Sequence, residues 1–359
     1  MGLNKLIFLF FLPLFLFSNF INSQNSDNKA IRKTVVKDIK PKVVLFDKLI
    51  ERNELFFYEN ILFSGRSIDR YPNFAMKQEL YWQDGKLNGK KEAFYPNGIL
   101  KERFVFSNGF RDDSFALYDT NGVLREKGAY NLDKLNGNFK KYYSNGALQV
   151  DANYINGELN GDFTLYFANG NVESKAIMKN NEKVGVFIAF YEDGTKRKEA
   201  FYENGVAEGI IIEYFFTGDT ASLKTYKNQL LNGNAKTWDA FMRILISEEN
   251  YNNGKKDGVC ILFDQFGDTV QYAHYKKDIL DGFYKYFIRG KMETQGFYIN
   301  GEKTGYWYEG WAANYKQREG EYKNAKMEGK WIFYDEIGKK LFWGNFKDGE
   351  MTKMKKYKL

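Results

Sequence analysis

The sequence predicts an all-β protein, folded as one elongated array of about twelve stacked 24-residue β-hairpins. Glycines recur at this period, as at Gly137, Gly161 and Gly185, and Asp113 stands in one slot of the glycine series. An aromatic residue lies seven residues before each slot, and only Met178 breaks this rule. The aromatic series is Tyr58, Trp82, Phe106, Tyr130, Tyr154, Met178, Tyr202, Tyr226, Tyr251, Tyr275, Tyr298 and Tyr322.

Asn-Gly pairs mark the predicted turns, as at Asn145-Gly146 and Asn156-Gly157, and the next periodic glycine is expected to close the unit. Such pairs favour tight hairpins because glycine accepts positive φ without strain. The runs of Tyr, Phe, Val and Leu between them are typical of strands. Since a lone hairpin is marginal in water, we expect each hairpin to cover the aromatic rings of the next. The small residues at Ala152 and Ala176 would leave room for these rings.

Four units carry a Tyr-x-Asn-Gly-x-x-x-Gly pattern, at residues 154–161, 202–209, 251–258 and 298–305. The chain resembles the MORN repeat over roughly residues 55–353. It is most similar to the bacterial variant often named after an antitoxin family of toxin–antitoxin systems. The resemblance implies an open twisted sheet that serves as an interaction scaffold, without catalytic residues or a cofactor. It also raises an antitoxin-like, partner-neutralising role as one alternative.

Residues 1–23 have the features of a secretory signal peptide. Lys5 supplies the positive charge, residues 6–17 form the apolar region, and Ser23 offers a small residue before a cut at Gln24. The apolar run is too short to span a bilayer easily, so cleavage is expected rather than anchoring. We therefore predict an exported protein, located in the periplasm or outside the cell.

The regions on either side of the array, at residues 55–353, depart from its period. Residues 24–54 are polar and form either a flexible leader or an N-terminal cap, to which residues 43–46 could add a strand. Residues 354–359 form a basic tail, whose lysines would keep the open sheet edge from pairing further. Inside the array the pattern is weakest at residues 234–250, where Met242 replaces a turn glycine, so an altered turn is expected there.

No residue set predicts catalysis. Cys260 and His274 are the only residues of their types, and a Cys–His pair can supply a nucleophile and a base. Cys260, however, occupies the slot of Phe139 and Phe163 in other units, which is a packing position. Two such ligands cannot hold a metal ion. Carboxylates such as Glu208 recur near turns and are expected to be solvated, so we predict a protein that is not an enzyme and has no cofactor.

The densest aromatic cluster supplies the candidate partner-binding residues Tyr306, Trp307, Tyr308 and Trp311. We predict an exported scaffold for protein–protein interaction at the cell envelope. A cell-wall or glycan-binding protein is the alternative, since wall-binding repeats also use hairpins rich in glycine and aromatics. A net charge of +7 spread over 359 residues argues against a nucleic-acid partner and leaves binding to a membrane surface open.

Overall fold

A computed structural model describes residues 42–310 and 315–357 of the chain. The predicted signal peptide at residues 1–23, the first part of the leader, Trp311 and the last two residues of the tail lie outside this part. Within it, no helix is long and apolar enough to cross a membrane.

The described residues form an all-β fold, as predicted, with one short 3-10 helix at Phe46–Lys48. Four strands precede the array: β1 (Val43–Leu45), β2 (Ile50–Arg52), β3 (Leu55–Tyr58) and β4 (Ile61–Leu62). The first half of the array contains β5 (Gly65–Arg70), β6 (Met76–Gln83), β7 (Lys86–Phe94), β8 (Leu100–Ser107), β9 (Phe110–Tyr118), β10 (Leu124–Asn131), β11 (Lys134–Leu135), β12 (Gly137–Tyr142), β13 (Leu148–Ile155), β14 (Glu158–Tyr166), β15 (Val172–Lys179), β16 (Glu182–Phe190), β17 (Lys196–Glu203) and β18 (Val206–Tyr214).

The second half of the array contains β19 (Thr220–Lys227), β20 (Leu230–Trp238), β21 (Leu245–Asn252), β22 (Lys255–Lys256), β23 (Gly258–Phe263), β24 (Thr269–Lys276), β25 (Ile279–Ile288), β26 (Lys291–Ile299), β27 (Glu302–Gly310), β28 (Lys316–Lys323), β29 (Lys326–Tyr334), β30 (Lys340–Lys347) and β31 (Glu350–Lys356). From β5 to β31 each hairpin arm pairs antiparallel with the next arm along the chain, as β13 does with β14 and β14 with β15. The sheet is open, which confirms the predicted array of stacked hairpins.

Each unit contains two kinds of turn. The A turn has two residues, as at Asn156-Gly157, where φ is 53° and 88°. Two positive φ values define the tight hairpin turn whose twist matches the flanking strands. The B turn has five residues, as at 143–147, where the Tyr143 N–H donates to the Ala147 carbonyl at 2.9 Å. The array's A turns that lack glycine are Leu132-Asp133, Asn180-Asn181, Asn228-Gln229, Lys277-Asp278 and Asn324-Ala325.

The periodic glycine does not close the unit, which corrects the sequence-based expectation. It lies inside the second strand of the hairpin: Ala152 pairs with Phe163 and Tyr154 with Leu159, so residues 160–162 oppose the single residue 153. Gly161, with a φ of 103°, therefore sits in a β-bulge. Asp113 adopts the same conformation in its unit, with a φ of 90°.

One surface of the sheet, which we call the aromatic face, carries the core. Large and small side chains alternate across its strands, as in the row Phe139, Ala152 and Phe163. Toward the C-terminus the small residue is glycine, and a Cβ added to Gly320 would lie 2.4 Å from the Trp331 ring. The expectation that small residues make room for neighbouring rings is therefore confirmed.

Side chains of several units also hold the turns of the next unit. At the B turns, the Tyr143 hydroxyl donates to the Tyr166 carbonyl at 2.7 Å, one unit further along. At the A turns, a Glu208 oxygen accepts from the Asn228 N–H at 2.8 Å. The Glu208 side chain therefore connects strand β18 to the next A turn and is not freely solvated.

The N-terminal end of the array is capped by β1–β4, of which β1 and β2 lie in the predicted leader or cap and β3 and β4 in the range predicted for the array. Residues 43–45 form β1, which pairs parallel with β5. A separate three-stranded sheet, β2–β4, packs its Phe56 ring against Trp82 at a centroid distance of 4.5 Å. At the other end, Lys353, Lys355 and Lys356 lie in the exposed last strand β31.

Candidate binding surface

Strand β27 carries three of the predicted partner-binding aromatics and places them on alternate faces. Trp307 lies on the aromatic face and is 0% exposed, and its indole N–H donates to the Phe297 and Thr304 carbonyls. Its side chain is therefore part of the core rather than a contact for a partner. Tyr308, on the opposite face, is also buried, whereas Tyr306 is 52% exposed. Trp311 lies outside the described residues.

The hydroxyl of Tyr306 is already engaged. Both it and the Tyr334 hydroxyl donate to the Glu319 carboxylate, which also lies 2.5 Å from the Lys316 ammonium. Burial and the Glu319 hydrogen bond raise the pKa of Tyr306. Burial tends to raise the pKa of Glu319, but the hydrogen bonds from Lys316, Tyr306 and Tyr334 outweigh it and lower that pKa. The Tyr306 ring is thus the described part of this cluster that a partner could reach.

A different row of aromatic side chains is far more exposed. Phe216, Phe241 and Phe266 lie in three successive B turns and are 68%, 91% and 76% exposed. Successive B turns are two strands apart, so the three turns follow one another at about 10 Å. We call these three residues the phenylalanine ridge.

Aspartates hold the backbone of two of the three ridge turns, those of Phe241 and Phe266. Asp239 accepts from the Phe241 and Met242 N–H groups, each at 2.8 Å. These hydrogen bonds lower the pKa of Asp239. Asp264 likewise accepts from the Phe266 N–H at 2.9 Å. The aspartates thus fix the turn backbones, while the phenylalanine side chains remain free in solvent.

The turn at Phe241 is the altered turn predicted within residues 234–250. It has six residues between β20 and β21, one more than the usual B turn. Arg243 takes a φ of 60° in place of a glycine, and its guanidinium lies 3.1 Å from Asp219 and over the Phe215 ring. The prediction is confirmed.

Asparagines occupy the centre of most of the earlier B turns, and several of them donate to the following turn. Asn145, for example, donates from its side chain to the Ala168 carbonyl at 2.9 Å, and Asn97 does the same to the Thr120 carbonyl at 3.0 Å. Phe241 and Phe266 stand in this central position, and Phe216 stands one residue earlier in its turn. The sequence does carry a signal for these residues, because the phenylalanines recur every 25 residues inside turns. No role was predicted from this spacing, and the structure shows that the three rings are exposed.

Cys260 and His274 do not form a catalytic pair. Cys260 pairs with Ala273 across strands β23 and β24, whereas His274 pairs with Val259, so the two side chains lie on opposite faces. Cys260 is buried, and burial raises the pKa of its thiol. The His274 ring contacts the Tyr272 hydroxyl at 3.2 Å. Across the described residues, no group of three or more His, Cys, Asp or Glu side chains is placed to hold a metal ion.

Comparisons with known proteins point to the repeat. Residues 87–108, 135–156, 159–180 and 183–204 match the MORN repeat variant family model. A search of curated proteins gives no match.

Two solved structures match the chain in a comparison of folds. A crystal structure of TcdB2-TccC3 is 9% identical, covering 81% of this chain and 20% of that chain with a TM-score of 0.17. A Photorhabdus luminescens Tc holotoxin pore with a mutated TccC3 is 10% identical, covering 82% and 20% with a TM-score of 0.14. The chain thus spans about a fifth of the length of these structures. Four segments of this β-hairpin array thus match the MORN repeat variant, and together they make up less than half of the chain.

Proposed function

We propose that the chain is an exported, non-enzymatic repeat scaffold that binds a protein at the cell envelope through the phenylalanine ridge. The observation that supports this is the exposure of three successive apical rings, each at least 68% accessible. Exposed apolar groups that cluster on a soluble surface are typical of interaction sites. Large aromatic anchors contribute most of the binding energy in protein interfaces.

The charges around the ridge define the partner further. Asp239, Asp264 and Asp268 flank it, and Arg243 is engaged with Asp219. An apolar groove rimmed by basic side chains complements such a surface, because opposite charges steer the two proteins together.

A protein partner fits this surface better than a glycan does. Phenylalanine offers no hydrogen-bonding group, and one carboxylate oxygen each of Asp239 and Asp264 already accepts from N–H groups of its own turn. Sugar binding needs polar groups beside the ring, so the glycan-binding alternative has less support. The antitoxin-like alternative uses the same kind of protein contact and differs in the activity of the partner.

The test compares the full chain with the double variant Phe241→Asn/Phe266→Asn, which restores the residue type of earlier B turns. A partner captured from the envelope fraction is purified and titrated against both proteins. We expect affinity to fall about 100-fold in the variant, as for loss of two interface anchors. The matched control is Phe74→Asn, which removes a comparably exposed ring, 79% accessible, from a B turn that is distant from the ridge in sequence.

Other outcomes overturn parts of the proposal. Equal affinity of the wild type and the double variant would show that the partner binds elsewhere. Sedimentation with purified wall polymer, lost in the double variant, would favour the glycan-binding alternative. Inhibition of a toxic partner by the chain would establish the antitoxin-like role.

Export has its own test. N-terminal sequencing of the protein from its native host should begin at or near Gln24, and a chain that retains Met1 would refute export.

A further inference from the structure

A cavity of about 590 Å³ lies at the capped end of the array, on the aromatic face. The A turns after β2, β6 and β8 surround it, and residues of β6 and β7 form its floor. Its volume falls within the usual range for small-molecule sites, about 300–1,000 Å³. It is separate in sequence from the phenylalanine ridge, so a ligand site here does not depend on the proposed function.

The walls of the cavity are aromatic and fixed. The Trp82 ring is 6% exposed and contacts Phe56 at 4.5 Å and Phe46 at 6.4 Å between centroids. The Trp82 indole N–H donates to the buried Ser67 hydroxyl at 2.8 Å, which holds the ring in one orientation. Leu80 completes the floor, and the half-exposed Phe110 stands at the mouth. An apolar group would meet an already ordered apolar lining here, so its binding would cost little entropy.

One lysine interrupts this apolar lining. Lys91 occupies the slot that holds Phe115, Phe139 and Phe163 in later units, in register with Leu80 and Phe104. Its ammonium lies 3.0 Å from the Glu102 carboxylate. An ammonium has three N–H donors, so the contact with Glu102 leaves hydrogen-bonding capacity for a ligand. Lys91 thus brings a charged group to a slot that holds a phenylalanine ring in the later units at Phe115, Phe139 and Phe163.

The other charged residues that line the cavity are compatible with an anionic ligand. Lys86 and Glu54 line the cavity as well, and Asp133, also in the lining, is neutralised by Arg111 at 2.8 Å. We infer that this cavity binds a small aromatic ligand with a single carboxylate, the ring lying in the apolar lining beside Trp82 and Phe56 and the carboxylate on the Lys91 ammonium.

The test titrates the full chain with indole-3-acetate by calorimetry, and with neutral indole in parallel. We expect one saturable site for indole-3-acetate in the wild type. The variant Lys91→Met keeps the apolar stem and removes the charge, so indole-3-acetate should bind at least about 10-fold more weakly while indole binding changes little. Lys127→Met removes an exposed lysine outside the cavity lining and should bind as the wild type does.

A second measurement decides the matter if Lys91→Met does not fold. In the wild type, the indole N–H resonance of Trp82, assigned by its loss in Trp82→Phe, should shift as indole-3-acetate is added. The resonance of Trp331, buried far along the array, should not move. The inference is overturned if neither titration saturates, if Lys91→Met binds indole-3-acetate as tightly as the wild type, or if the Trp82 signal stays in place.

Discussion

The B turns of the early units and those of the ridge units join equivalent strands but use their side chains in opposite ways. In the early units, at residues 71–195, tyrosines and asparagines reach across to the next turn, as Tyr143 and Asn145 do. In the ridge units, at residues 215–268, phenylalanines project into solvent. The B turns can therefore carry either side chains that bind the next turn or side chains that remain accessible to a partner.

The core changes in the same units. Early units carry a phenylalanine in the large slot of the aromatic face, at Phe115, Phe139, Phe163 and Phe187, whereas the ridge units carry Ile211, Ala235 and Cys260. Glu249 then fills the adjoining small slot, where it accepts from the Tyr251 hydroxyl at 3.0 Å and lies 2.6 Å from the Lys256 ammonium. A polar network thus occupies the volume that an aromatic ring takes elsewhere.

Both regions nevertheless keep the same register, including the bulge at the periodic glycine. Each unit pairs only with its neighbours, so the stability of one unit can fall without disturbing distant ones. We expect the ridge units to be the less stable part of the array, which suits a region that adapts to a partner.

The largest contrast should appear in the core. Phe115→Ala removes a 5%-exposed ring packed beside Gly128 and should lower the free energy of unfolding by about 3 kcal/mol. Cys260→Ala, at an equally buried slot of the ridge units, removes one sulfur atom and should cost about 1 kcal/mol. Urea unfolding of both variants measures the difference. Equal losses would show that the two cores are packed alike.

The A turns allow a matched exchange. Gly157 and Gln229 stand at the same turn position with φ of 88° and 67°. Gly157→Gln should lower the free energy of unfolding by about 1 kcal/mol, and Gln229→Gly should raise it by a similar amount, because only glycine adopts this conformation without strain. The nearest atom to a Cβ on Gly157 is 3.7 Å away, so sterics do not interfere. A lower free energy of unfolding in both variants would mean that a contact of Gln229 stabilises the turn by more than its backbone strain costs.

The tyrosine ties should contribute less. Tyr143→Phe removes the hydrogen bond to the Tyr166 carbonyl and should cost about 0.5–1 kcal/mol. Phe167 stands at the same position one unit later, so Phe167→Tyr should gain a similar amount by supplying the missing hydroxyl. Thermal unfolding of the two variants gives the comparison, and Tyr142→Phe is the control on the neighbouring side chain. No change in either variant would show that the ties do not stabilise the early units.

The smallest effect is a difference in pH dependence. Burial and then Glu249 raise the pKa of Tyr251 from 10.0 to about 12, so the stability linked to it is complete below pH 10 and lost as pH rises toward 12. In the early units, burial tends to raise the pKa of Asp151, but hydrogen bonds from Lys140 and Asn138 lower it below 3.8. Its contribution is therefore complete above pH 3.8 and is lost as pH falls through the folded-state pKa.

Urea midpoints measured across pH test this difference. Tyr251→Phe should flatten the alkaline limb alone, and Asp151→Asn the acid limb alone. If both limbs persist in both variants, other groups control the pH dependence.

The period and the turns could be predicted from the sequence because few residue types satisfy them. Gly157 follows Asn156 where two positive φ values are needed, and Tyr154 recurs where a ring must cover its neighbour. The bulge was missed, since a glycine such as Gly161 with positive φ has the same sequence appearance in a turn and in a strand.

The binding surface was harder to predict for a related reason. Tyr306 and Trp307 are adjacent aromatics, and only the register of β27 separates the exposed ring from the core ring. The ridge was missed because Phe216 and Phe241 occupy different positions in their turns, and because exposure depends on turn geometry that residue type alone does not specify.

The stacking of the A turns has a consequence for how the protein ages. In an Asn-Gly sequence the glycine nitrogen can attack the asparagine side-chain carbonyl, close a five-membered ring and expel ammonia. At Gly157, Gly205 and Gly301 the N–H of that nitrogen donates to a carbonyl of the preceding unit, at 2.8, 3.0 and 2.8 Å. The attack therefore requires this hydrogen bond to break first. The rate of deamidation at these asparagines would therefore report how often each A turn opens.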